Sequence, residues 1–149
     1  MNFEENNNIN AIMMASSCAA VEHAKGYRHG KGVGYELDYS EESLQKVEAI
    51  LNDMHNLTEM LCSPLDPDTL DRSSKMYGGY IGEVLRRAWG EGEWVIPTEG
   101  PFAGYITLQY GEAQTSPYIK VAKRLTDGAA DNIEAYCHAL KDGRNGAVS

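Results

Sequence analysis

The segment Tyr77-Gly-Gly-Tyr-Ile-Gly-Glu-Val-Leu-Arg-Arg-Ala-Trp89 joins two signals that ordinarily exclude each other. Leu70, Ser74, Tyr77, Ile81, Val84, Leu85 and Ala88 recur at steps of three and four, the period of one helix face. Yet Gly78, Gly79 and Gly82 sit inside that period, and each costs a helix about 1 kcal/mol relative to alanine. The ends are well marked. Asp66 can cap, Pro67 suits the first helical position, Asp68 favours the positive helix end, and Gly90 followed by Gly92 is a stop. The spacing predicts one helix over 67–89. The roughly 3 kcal/mol forfeited by its glycines is then regained by close packing. Ser74, Gly78 and Gly82 are four apart and form a ridge of small residues that another element can approach; a ligand channel is the functional alternative.

Glu83 is the most informative single charge. Arg86 and Arg87, three and four residues on, are natural ion-pair partners. A buried Glu83 would have a raised pKa suited to acid–base work, but no second carboxylate is spaced to complete a catalytic pair. The expected role is an ion pair or a buried hydrogen-bond anchor.

With 149 residues, the chain is expected to form one domain, with 1–8 and 144–149 loose. Cys18, Cys62 and Cys137 are odd in number and widely separated, which suits free thiols in a reducing compartment. No apolar run is long enough for a membrane helix. Ala15-Ser-Ser-Cys18 resembles a lipoprotein cleavage site, but Glu4 and Glu5 stand where a basic region belongs. The expectation is a cytoplasmic protein. His23 and His29 lack a third ligand at a supporting spacing, so no metal or cofactor is expected.

The net charge of −9 is concentrated. Residues 36–71 hold ten acids (Glu36, Asp38, Glu41, Glu42, Glu48, Asp53, Glu59, Asp66, Asp68 and Asp71) and one base, Lys46. A field of this sign disfavours nucleic acid and attracts a basic protein partner. Leu44, Val47, Ile50, Leu51 and Met54 give an amphipathic helix over 41–56, capped by Ser40 or Asp38, with Glu41, Glu42, Glu48 and Asp53 expected on its outer side.

Elsewhere the period predicts a helix from Ile9 to Lys25, a short strand over 33–38, and a helix from Asp131 to Lys141. Strands are expected at 93–96, 105–110 and 118–125, the last carrying the basic cluster Lys120, Lys123 and Arg124, with 111–117 as a turn. The resulting expectation is α+β: about four helices packed on a small antiparallel sheet of three to four strands.

Three stretches also carry a family likeness. Glu36-Leu-Asp-Tyr-Ser-Glu-Glu-Ser-Leu44, Tyr80-Ile-Gly-Glu-Val-Leu-Arg-Arg87 with Trp94, and Pro117-Tyr-Ile-Lys-Val-Ala-Lys-Arg-Leu125 resemble a group of small bacterial proteins of unassigned function. The resemblance implies an α+β domain in which Glu83 and the segment Lys120–Arg124 belong to a shared framework, and it carries no catalytic role. The glycine-rich 30–34 loop and Cys137 depart from the pattern.

Three functions follow as expectations. The first is a non-enzymatic acidic binding protein of inhibitor or immunity type, neutralising a basic toxin or effector through Glu41, Glu42, Glu48 and Asp53. The second is a small-ligand binder or enzyme using Glu83, Tyr80, Tyr77 and the basic strand. The third is a structural homodimer joined through the glycine ridge or a sheet edge.

Overall fold

A computed structural model describes residues 3–27 and 34–146. Its helices are α1 (Phe3–Gly26), α2 (Ser43–Leu61), α3 (Pro67–Trp89), α4 (Pro117–Asp127) and α5 (Ile133–Gly146), with a 3-10 turn at Ala129–Asp131. The strands β1 (Glu93–Val95), β2 (Thr107–Tyr110) and β3 (Ala113–Thr115) form an antiparallel sheet in the order β1-β2-β3. The class is α+β, but the helices pack mainly on one another and the sheet closes one end.

α3 is the axis. Asp66 accepts from Thr69 N at 2.9 Å, Pro67 opens the helix, and Gly90 ends it with φ 70°, a left-handed conformation that favours glycine. Tyr77, Tyr80, Ile81, Val84 and Leu85 are buried. Around them lie Met13, Ala20 and Ala24 of α1, Val47, Ile50 and Leu51 of α2, and Val121 and Leu125 of α4.

Each glycine of α3 has its own reason. A Cβ on Gly79 would lie 3.1 Å from the Met13 carbonyl oxygen on α1, and one on Gly78 would lie 2.9 Å from Tyr118 N and Cα on α4. On Gly82 it would lie 2.1 Å from Cζ2 and Cη2 of Trp94. Close packing is therefore what the glycines permit, against three separate neighbours and not along a single ridge. The room a ligand channel would use is filled by Tyr118, Met13 and Trp94.

Several elements differ from their sequence reading. α1 starts at Phe3, ahead of the expected Ile9, α2 runs on to Leu61, and α5 continues to Gly146. Residues 34–38 are irregular because they lie against the end of α1, where Tyr35 N donates to the Ala24 carbonyl at 2.7 Å, and not beside a strand. Val33 and His29 lie outside the described residues. The largest correction is at 118–125, which is helix α4: Ser116 Oγ accepts from Ile119 N at 3.2 Å and Pro117 occupies the first turn. The third strand falls instead at Ala113–Thr115, inside the expected turn, paired so that Leu108 faces Thr115.

Candidate functional site

Two of the singled-out carboxylates, Glu83 and Glu48, are buried and each is held by an arginine. Glu83 Oε1 accepts from Arg86 Nη1 at 2.9 Å and from Trp94 Nε1 at 3.2 Å, and Oε2 accepts from the same Nη1 at 3.2 Å. Arg86 Nε then donates to the Gly92 carbonyl at 2.9 Å. Glu83 thus joins the last turns of α3 to the turn before β1, the buried anchor that its spacing predicted. Both oxygens are engaged, so the arrangement suits holding a strand in place better than moving a proton.

Glu48 is the second. Arg124 Nε and Nη2 reach its two oxygens at 2.8 and 2.7 Å, Ile133 N donates to Oε1 at 3.0 Å, and Arg124 Nη2 also donates to Asn52 Oδ1 at 2.6 Å. The expectation that Glu48 lies on the outer side of its helix is corrected: it points inward and ties α2 to α4 and to the start of α5. A buried arginine needs a geometrically matched acid, and the bidentate fork of Arg124 supplies the reason.

The basic cluster also separates. On helix α4, Lys120 bonds Asp131 at 3.1 Å, Arg124 is interior, and Lys123 is exposed. These three side chains do not form one patch, and they do not approach Glu83 in any described contact. Tyr80 has a positioning role: its hydroxyl accepts from Tyr39 N at 2.8 Å and pairs with Ser43 Oγ at 2.5 Å. That clamp holds Tyr39 at φ 64° and sets the entry to α2, and Arg87 Cζ sits 3.8 Å over the Tyr39 ring.

Tyr77, grouped with Glu83 on the sequence, instead faces α1, where His23 Nδ1 lies 2.6 Å from its hydroxyl. Burial, then Arg72, lowers the His23 pKa.

Glu41 and Glu42 are exposed at the entry to α2. They border a cleft of about 190 Å³ whose walls include Leu44, Leu85, Trp89, Glu134 and Lys141. Lys141 Nζ stands 3.7 Å from Glu41 Oε2, a half-exposed pair of small energetic worth. Cys137 also lines this cleft, and burial, then Glu41 and Glu134, pushes its thiol up to about 12, so it stays protonated. Asp53, the fourth expected docking residue, is half-buried and accepts a hydrogen bond from the Tyr27 hydroxyl. Among the four, Glu41 and Glu42 alone lie together on the surface.

A surface that the sequence reading passed over lies at the other end of α2. Leu57, Met60 and Leu61 are 49%, 76% and 64% exposed. Met54, Leu57 and Leu61 form one wall of a groove of about 380 Å³ closed by Tyr27, Pro64 and Leu65. The signal was present: the three-and-four period of Leu51 and Met54 continues through Leu57 and Leu61.

Among the described residues, no group of three or more His, Cys, Asp or Glu could hold a metal ion, and no helix is long and apolar enough to cross a membrane. No family model matches the chain, and no curated protein or solved structure matches it.

Proposed function

We propose that the chain is a non-enzymatic binding protein of inhibitor or immunity type, which captures and neutralises a basic toxin or effector protein. One contrast carries this reading. Glu48 and Glu83 are held inside by arginines, whereas Glu36, Asp38, Glu41, Glu42, Glu59, Asp66 and Asp68 remain exposed. The single base of that stretch, Lys46, directs its amine to the Glu36 carbonyl at 2.9 Å. Seven exposed carboxylates against one exposed lysine leave this stretch strongly net negative, and a field of that sign steers an oppositely charged partner and speeds its encounter.

Affinity capture of the tagged chain from its host's lysate, washed at low and then high salt, tests the proposal. The expected result is a stoichiometric basic protein that leaves as salt rises. Retention of no protein at low salt would overturn it. So would a partner held equally by wild type and by a Glu41→Lys/Glu42→Lys/Glu59→Lys variant.

A further inference from the structure

The cleft beside the start of α2 leaves negative charge unmatched over an apolar floor. Leu44 and Leu85 are buried at its base, and Trp89 forms one side. Three carboxylates line it, Glu41 and Glu42 from the entry to α2 and Glu134 from the first turn of α5, with His138 and one lysine, Lys141. Lys141 Nζ is directed to Glu41 at 3.7 Å. Among the described residues, the carboxylates of Glu42 and Glu134 have no ion-pair or hydrogen-bond partner. They face the same hollow from two different elements.

Cys137, on the cleft wall, reports the sign of the local field. After burial, Glu41 and Glu134 are the causes that raise its pKa, and Lys120, already bonded to Asp131, lowers it by less. The cleft opens onto a wider depression of about 590 Å³ beside Tyr39, where Arg87 lies over the Tyr39 ring. Arg87 offsets the acids on that side, so the excess negative charge lies toward Glu134. At about 190 Å³ the cleft itself is smaller than the roughly 300–1,000 Å³ that encloses a drug-sized ligand, and it suits a single side chain.

We infer that this cleft is the anchor pocket for one arginine side chain of a protein partner, with its aliphatic stem on Leu44 and Leu85, its guanidinium plane against Trp89 and its N–H groups on Glu42 and Glu134. This inference rests on the binding reading above and names the residue type that the acidic surface captures. A long apolar stem ending in a charge matches an apolar floor under an acidic rim. The planar guanidinium donates to carboxylates along its edge while stacking on an aromatic face, which an ammonium cannot do. Arginines seated in pockets of this kind are frequent anchors of protein interfaces. An acidic occupant would meet like charge, and an apolar one would cover Glu42 and Glu134 without pairing them.

The test uses the full ¹⁵N-labelled chain and two probes of one shape, N-acetyl-arginine amide and its neutral isostere N-acetyl-citrulline amide. Trp89 and Trp94 give the two indole N–H signals, assigned with Trp89→Phe. Trp94 is fully buried and bonded to Glu83, so it serves as the internal reference. The Trp89 signal is expected to shift saturably with the arginine probe, at a half-saturation at least about fivefold lower than with citrulline. Glu42→Gln/Glu134→Gln is expected to remove that difference. Glu59→Gln/Asp68→Gln, which removes the same charge elsewhere, is expected to keep it. Glu134 favours its helix end, so a urea midpoint is measured for each variant, and the comparison of probes on wild type stands without them.

Equal half-saturation by the two probes, or a preference that survives Glu42→Gln/Glu134→Gln, would overturn the inference. So would N-acetyl-lysine amide binding as tightly as the arginine probe, or a concentration-dependent dimer that the double glutamine variant dissolves, which would assign the cleft to a second copy. The two readings fail separately. A captured basic protein held equally by wild type and by Glu42→Gln/Glu134→Gln refutes the anchor pocket and leaves the binding function standing. An arginine preference at Trp89 in a chain that captures nothing refutes the toxin-binding reading and leaves the pocket.

Discussion

Gly82→Ala sets two known terms against each other. A methyl in the middle of α3 contributes about 1 kcal/mol of helix propensity. Its Cβ, however, would stand 2.1 Å from two ring carbons of Trp94, where carbon atoms at rest prefer about 3.5–4.0 Å. Trp94 has nowhere to retreat: it is fully buried, and its Nε1 donates to Glu83 Oε1 at 3.2 Å. Overpacking of this kind costs about 1–3 kcal/mol, and displacing the indole also weakens a hydrogen bond to a charged group worth about 1.5–3 kcal/mol. The net expectation is a loss of about 2–4 kcal/mol, read from urea unfolding followed by tryptophan fluorescence. Trp94→Leu in the same chain should recover part of that loss, so the two substitutions would be strongly non-additive. Gly143→Ala, on a helix position with nothing within 4 Å of the new Cβ, should instead stabilise by about 0.5–1 kcal/mol. A Gly82→Ala variant as stable as the wild type would refute the packing argument for Gly82 against Trp94.

Three further expectations follow from the buried groups. Glu48→Ala should cost about 3–5 kcal/mol because it strands the Arg124 guanidinium, while Glu48→Leu/Arg124→Met should cost much less; equal losses in urea titrations would contradict the pairing. Burial and Arg72 hold the His23 pKa below its ordinary 6.5, so the neutral ring's contribution is present above that value and is lost as pH falls through the folded one. His23→Gln should therefore flatten the decline in stability on the acid side of neutrality relative to wild type, and parallel pH profiles would refute this. Maleimide at neutral pH should modify the exposed Cys18 and Cys62 quickly and reach Cys137 only on unfolding, since that thiol is pushed up to about 12; mass mapping of labelled peptides is the measurement.

How far the chain could be read without coordinates depended on whether independent local signals agreed. Over 67–89, cap, proline, period and terminal glycine agreed, and α3 has those ends. At 117–127 the same cap–proline signal, Ser116-Pro117, was present but was outweighed by the β-branched and aromatic content of Tyr118, Ile119 and Val121. The cap is the better guide there because it satisfies backbone donors at a fixed place, whereas strand preference only describes a surface that a helix can also bury. Glu48 was partly legible too: it lies four residues after Leu44 and three before Leu51, within the apolar stripe itself. Its partner was not, since Arg124 is brought to it only by the packing of α4 on α2. Asp53 and Tyr27 meet in the same way, across the join of α1 and α2. Tertiary pairings of this kind leave no mark on local periodicity.

The association rate of the captured partner, measured by stopped flow across ionic strengths, tests the binding account most directly. Wild type should associate fast at low salt and slow steeply as salt rises, and Glu41→Lys/Glu42→Lys/Glu59→Lys should be slower by at least about tenfold at low salt, with the gap closing at high salt. A rate indifferent to both salt and charge reversal would contradict the claim that this exposed acidic surface is what the fold presents to its partner.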